Sequence, residues 1–364
     1  MVDRARVRAE ADRLSALFQQ SGAEPFRTAI LQPAEVLLDL YGEDIRARAY
    51  VTRDPVQGEM MLRPDFTVPL VQTHQAGGSG PARYTYSGEV FRMQDRSASG
   101  RPTEYLQVGF ELVQPSDPVA AEAEVFATIM GALDGLGLQA AMGDIGLLQA
   151  AVLGLSTSAE RRAALMRHLW RPHRFRTLLD QFSDSSGTSS GRDKLLEKLA
   201  NEGADRILAE APPSVGLRSP AEVGARLAAL KRDAETPPLS ARQVDLIDDL
   251  LNVRGAAPAA LAALRDLSVD LPMIEPAVQR LSARYDALNA RGVDLGSVLF
   301  EATYGRTALE YYDGFVFGFY DEQRLDLPPV ATGGRYDALT RALGQEVPAV
   351  GGVVRPALVV EVQG

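Results

Sequence analysis

The chain contains no cysteine, which removes disulfides, thiol nucleophiles and thiolate metal sites together. Histidine is nearly as scarce: only His74, His168 and His173 could supply an imidazole. The last two fall in MRHLWRPHRF, among arginines and without a carboxylate. A helical or loop surface is therefore expected there rather than a pair of metal ligands. No glycine loop with phosphate-binding spacing occurs. Basic residues are the minority sign, 38 against 48 acidic ones, for a net charge of -10. That balance opposes nonspecific binding to nucleic-acid phosphates, which requires a positive surface for counterion release. No apolar run approaches the ~18 residues that span a bilayer, and the charged opening MVDRARVRAEADRLSALF has no apolar signal region. The expectation is a soluble, cytoplasmic protein with no membrane partner, metal or cofactor.

A length of 364 residues allows a large core and more than one domain or subdomain. Val7, Ala11, Leu14, Leu17 and Phe18 lie on one side of a helix over residues 3–20. RAYVTRDPVQGEMMLRPD reads as a hairpin turning at Asp54, Pro55 and Gly58. RYTYSGEVFRMQ and TEYLQVGFELVQ read as longer strands joined by the polar loop DRSASGRP. DPVAAEAEVFATIMGALDGLGL then opens with proline and closes on glycines, as a helix does. Residues 151–290 are mostly helical, interrupted by SDSSGTSSGRDK. Strand texture returns at SVLFEATYG, continues through ALEYYDGFVFGFY, and ends with PALVVEV. Strand runs this closely spaced do not suit βαβ units, so an α+β fold with a mixed, mostly antiparallel sheet is expected. In that layout 1–150 and 291–364 form one domain, and 151–290 a helical insertion.

Polar residues share faces with glycine in several of these strands. In EYLQVGFELV, Leu106, Val108, Phe110 and Leu112 form the core side, with Tyr105, Gln107, Gly109 and Glu111 opposite. That second face is either solvated or the floor of a ligand pocket, and this strand alone favours neither. In YTYSGEVFR, Tyr84, Tyr86, Gly88, Val90 and Arg92 share a face, which adds a second glycine-and-polar surface and favours a concave site. LRPDFT places Asp65 two residues before Thr67, a pair suited to an ammonium group, although an arginine-capped turn before a helix would look the same. ATGGRYDAL has a glycine pair for close backbone approach, a hydroxyl on Tyr336, and Arg335 with Asp337 as a possible ion pair.

Together, LRPDFT, GEVFR with EYLQVGFEL, LEYYDGFVF and TGGRYDAL resemble, in this order, the catalytic domain of histidyl-tRNA synthetase, a class II synthetase fold. The resemblance spans nearly the whole chain. It implies that Asp65, Thr67 and Gln107 hold the α-amino end of histidine. Glu111, Tyr312 and Tyr336 would then meet the imidazole, and Arg92 the carboxylate or an α-phosphate. Tyr311, beside Tyr312, is included among the candidate histidine-binding residues, with its side chain expected on the opposite strand face.

The departures are equally informative. Where the synthetases carry Arg-Gly-Leu-Asp-Tyr-Tyr, this chain has Thr307 through Tyr312, with Arg306 one position early. Where they carry Gly-Leu-Glu-Arg, it has Arg355, Pro356, Ala357 and Leu358. Two cations that would balance triphosphate charge are missing, and no anticodon-binding domain is expected. This pattern is similar to the regulatory subunits of ATP phosphoribosyltransferase. That resemblance implies a noncatalytic homodimer, assembled into a hetero-octamer with a short-form catalytic subunit. It further implies feedback inhibition by histidine in the first step of histidine biosynthesis, and no tRNA partner.

Overall fold

In the computed structural model, residues 3–34, 48–77, 80–94, 102–183, 190–210, 219–306, 312–324 and 326–364 are described. The chain divides into two compact units, one of Met1–Leu147 with Leu250–Gly364 and the other Leu148–Asp249. Residues 250–290, expected within a helical segment 151–290, thus cluster with the strand-rich unit. The reason is visible in helix Glu275–Ala290, where Arg284 is buried against Glu122 and Asp144, at 2.6 and 2.9 Å.

Twelve strands are present among the described residues. They are β1 (Glu24–Pro25), β2 (Leu31–Pro33), β3 (Val51–Asp54), β4 (Gly58–Leu62), β5 (Ala82–Phe91), β6 (Glu104–Val113), β7 (Gln139–Asp144), β8 (Arg254–Ala256), β9 (Leu299–Glu301), β10 (Phe315–Tyr320), β11 (Ala331–Arg335) and β12 (Ala349–Val354). Nine form one sheet in the order β1-β5-β6-β12-β11-β10-β7-β9-β8, antiparallel except at β1–β5 and β7–β9. The mixed, mostly antiparallel α+β architecture expected from the sequence is the one found.

β2, β4 and β3 make a separate small sheet. Its β3–β4 hairpin turns where expected. Asp54 Oδ1 accepts from the backbone N–H groups of Val56 and Gln57, and Gly58 adopts φ 84°, a conformation that costs a residue without Cβ nothing.

One face of the large sheet is core. Phe315, Phe317 and Phe319 alternate on β10 and surround Phe126 of helix Pro118–Ala132, with ring centroids 6.2, 5.4 and 5.2 Å away. Phe110 of β6 stacks on Phe18 of helix Arg4–Gln20 at 5.3 Å. That helix buries Ala11, Leu14 and Phe18, as its spacing predicts, and starts where the Asp3 side chain accepts from the Ala5 N–H. Helix Pro118–Ala132 starts in the same way on Asp117, with proline at its first turn.

One element differs from the sequence reading. PALVVEV, expected to be a strand, is the helix Pro356–Gln363, and the strand β12 ends at Val354. Proline lacks the N–H a ladder needs but fits the first helical turn, and Val359 and Val360 are buried on one side. The quoted strand ALEYYDGFVFGFY is regular only from Phe315 onward, and its residues 308–311 lie outside the described residues.

The second unit is helical. Helix Pro172–Phe182 buries Phe175, Leu179 and Phe182. Arg161 is buried with its Nε donating to Asp233 at 2.6 Å and its guanidinium 4.9 Å from the Phe182 ring centre. Arg192 reaches the other Asp233 oxygen, also at 2.6 Å.

Candidate functional site

The opposite face of the large sheet is where glycines meet polar side chains. The strand register sets Tyr86 across from Gly109, and Gly88 across from Gln107. Glu111 lies across from Gly351, and Gly351 across from Gly334. Two of these glycines are required by close approach. A Cβ on Gly109 would fall within the Tyr86 ring, and one on Gly351 would collide with the Glu111 carboxylate. Side chains from neighbouring strands therefore lie down across the sheet and converge, which they could not do over a floor of β-branched residues. Tyr312 joins them, its ring within 2.8 Å of where a Cβ of Gly334 would stand.

Glu111 is the centre of the group and is 1% exposed. The Tyr86 hydroxyl donates to its Oε1 at 3.0 Å, and the Thr67 hydroxyl approaches the same oxygen at 3.4 Å. The Tyr336 hydroxyl donates to Oε2 at 2.8 Å. Burial raises the carboxyl pKa to about 7, and the nearby charge of Asp65 acts in the same direction. The hydroxyls of Tyr336, Tyr86 and Thr67 oppose the shift. Burial, together with the Glu111 charge, keeps both phenols protonated far above the usual tyrosine range.

Supports beneath these groups fix them in place. Tyr86 stacks on Phe66 at 4.3 Å with the rings 10° apart, and the Arg63 guanidinium lies 4.1 Å above Phe66. Tyr336 is held through its neighbours. Arg335 pairs with Asp337 at 2.6 Å, and Asp337 Oδ1 accepts from the Ala349 N–H at 2.9 Å. Asp313 accepts from the Asp337 N–H at 3.1 Å. Burial and the Asp337 charge raise the Asp313 carboxyl pKa to about 6.

The structure thus gathers Asp65, Thr67, Gln107, Glu111, Tyr312 and Tyr336 on or beside one face. All six are buried, Asp65 and Thr67 at the entry to helix Thr67–Gly77. Gln107 Oε1 has no hydrogen-bond partner although the residue is 1% exposed. Arg92 lies just beyond the end of β5. Its Nε donates to the Pro64 carbonyl at 2.8 Å, and its guanidinium is 6.0 Å from the Tyr105 ring centre. Tyr311 is outside the described residues. Sequence reasoning placed Tyr86 on the correct face but left it out of the site. Its signal was the cross-strand glycine at 109, which only the register reveals. Arg306, one position early for the synthetase arginine, is buried, and burial lowers its pKa.

Chemically the group is rich in acceptors. Both phenols spend their protons on Glu111 and keep lone pairs, and Gln107 Oε1 is vacant. A ligand presenting several N–H donors would satisfy it, and an apolar ligand would leave it unsatisfied. Among the described residues no cluster of histidine, aspartate and glutamate could hold a metal ion, and no helix is long and apolar enough to cross a membrane.

The chain is similar to known proteins along nearly its whole length. The histidyl-tRNA synthetase family model matches residues 2–257 and 224–357. ATP phosphoribosyltransferase regulatory subunits of Brucella canis and Brucella suis are each 31% identical over 350 residues, covering 90% of this chain and 90% of theirs. A Bacillus halodurans structure described as an ATP phosphoribosyltransferase regulatory subunit/histidyl-tRNA synthetase superposes with a TM-score of 0.69 at 22% identity. That match covers 99% of this chain and 79% of the other. Histidyl-tRNA synthetase from Nostoc gives 0.63 at 16% identity, over 100% and 72%. At such identities the two structures establish the fold, a class II synthetase-like domain. The curated sequences go further, and with them the chain belongs to the family of ATP phosphoribosyltransferase regulatory subunits.

Proposed function

We propose that this protein is a noncatalytic regulatory subunit that activates a short-form ATP phosphoribosyltransferase catalytic subunit. In this reading it also carries feedback inhibition by histidine, in the first step of histidine biosynthesis. The observation that supports a histidine pocket is the buried Glu111, bracketed by the Tyr86 and Tyr336 hydroxyls. A carboxyl with a pKa of about 7 is matched to imidazole, whose own pKa is near 6.5, so the pair readily shares one proton. Asp65, Thr67 and the vacant Gln107 Oε1 suit the α-ammonium group. Other amino acids would leave the buried acceptors unpaired, which gives selectivity.

The protein would act as a homodimer within a cytoplasmic hetero-octamer, with tRNA playing no part. Histidine would favour a less active state of the complex. Coupling of this kind typically amounts to ~1–3 kcal/mol and is reciprocal for binding. Titration calorimetry of histidine into this protein, with and without catalytic subunit, tests it alongside phosphoribosyltransferase assays. Activation on mixing, loss of activity with histidine, and a shifted histidine affinity in the complex are expected. Histidine-dependent ATP–pyrophosphate exchange by this chain alone would instead assign it an adenylating role. Inhibition that survives both Glu111→Ala and Tyr312→Phe would reduce the pocket to a vestige.

A further inference from the structure

The run Arg355, Pro356, Ala357, Leu358 differs from the synthetase pattern by gaining a cation at its first position as well as losing one at its last. Arg355 follows β12 directly. Val354 pairs with Val108 on one side and Ala331 on the other, so the next position falls across from Gln107, on the pocket face. Its backbone N–H continues the ladder to the Val330 carbonyl at 2.9 Å. The guanidinium rests on neutral groups, donating to the Pro329 carbonyl at 2.6 Å and to Thr332 Oγ1 at 3.3 Å. Among the described residues no carboxylate pairs with it. Burial lowers its pKa, and its electrostatic neighbours are Tyr105, Arg92, Tyr312 and Tyr304. A second cation, Arg92, thus acts on the same region.

Arg355 thus stands at the position across from Gln107, whose buried Oε1 lacks a donor. The two demands are opposite in sign and come from neighbouring strands at one register position. A zwitterion satisfies both. We propose that Arg355, assisted by Arg92, forms the subsite for the carboxylate of the amino acid whose side chain meets Glu111. This rests on the reading of the pocket as an amino-acid site. It makes Arg355 a specificity-determining residue, supplied from the end of β12 rather than from the segment around 307 that departs from the synthetases.

The test is calorimetric titration of the full chain with histidine and with histidinol, the matching amino alcohol without a carboxylate. Wild type should bind histidine ~10- to 100-fold more tightly than histidinol, the range expected for a charge-assisted contact. Arg355→Met should bring histidine most of the way down to the histidinol level and leave histidinol unchanged, while Arg355→Lys recovers part of the preference. The unchanged histidinol affinity shows that the variant remains folded. Equal losses for the two ligands would make Arg355 merely structural, and undiminished histidine binding in Arg355→Met would remove it from the site. Either result overturns the subsite and leaves the amino-acid pocket standing. Wild type binding neither ligand brings down the pocket reading and the subsite together. Inorganic phosphate binding more tightly than histidine, and only with Arg355 present, would reassign the pair to a phosphate and likewise refute the proposal.

Discussion

The hydroxyl of Tyr336 donates to Glu111 Oε2 across 2.8 Å, joining two residues 225 positions apart. The bond links the segment just after β11 to β6, with β12 between them in the sheet. Replacing Tyr336 by Phe removes one donor from a buried carboxylate without changing the ring's volume. Histidine affinity should fall by about tenfold. The melting temperature should fall as well, since Oε2 loses its phenol partner. Calorimetry and thermal denaturation on the same sample read both effects.

Glu111 sets a pH dependence whose sign follows from its shift. The folded-state pKa, about 7, is above the ordinary value of 4.5. The folded protein therefore holds this proton more tightly than the unfolded chain. The resulting stability is complete below 4.5 and lost as pH rises through about 7. Asp65, Tyr86, Tyr336 and Thr67 act on the carboxyl, and of these only Asp65 adds a competing acid. Glu111→Gln should flatten the stability profile between pH 5 and 8, by on the order of 3 kcal/mol across the interval. The slope in urea-denaturation series is the quantity to compare. Its absolute level also changes, because the amide nitrogen of glutamine cannot accept a phenol proton.

Gly109→Ala should destabilise the protein by about 1–3 kcal/mol, as overpacking does. The added methyl would occupy the space of the Tyr86 ring. Tyr86→Leu should relieve much of that strain. In a double-mutant cycle by chemical denaturation, the combined cost should be clearly less than the sum of the single costs.

Arg284 is buried between Glu122 and Asp144 and stacks 4.4 Å from the Phe315 ring centre. Removing its charge by Arg284→Met leaves two carboxylates facing each other in the core, at a cost of ~3–5 kcal/mol. Converting Glu122 and Asp144 to Gln and Asn in the same chain should recover much of that loss at neutral pH. Equilibrium unfolding of the four combinations settles the point.

Local chemistry made much of this legible. The alternation in β6 put Gln107, Gly109 and Glu111 on one face and four apolar residues on the other, and the structure has that division. The apolar spacing over 3–20 and the proline opening of DPVAAEAEV marked two helices that the structure has. What stayed hidden depended on partners distant in sequence. Tyr86 entered the site only because Gly109 lies opposite it, a matter of register. Residues 250–290 looked like the other helical segments, and Arg284 gives away their place only once Glu122 and Asp144 are found around it. PALVVEV is apolar and β-branched enough for a strand, and proline's missing N–H was the overlooked signal. Arg355 was noted as a departure from a pattern, but its direction could not be known before β12 was shown to end at Val354.

The glycine floor also bears on how such a site could be lost over generations. At Gly109 and Gly351 any replacement adds atoms where a ring or a carboxylate already stands. Gradual drift toward a looser, less selective pocket is closed at those two positions, because the first step damages the sheet that keeps the chain folded. Selection for a stable fold therefore preserves the glycine floor whether or not a ligand uses it.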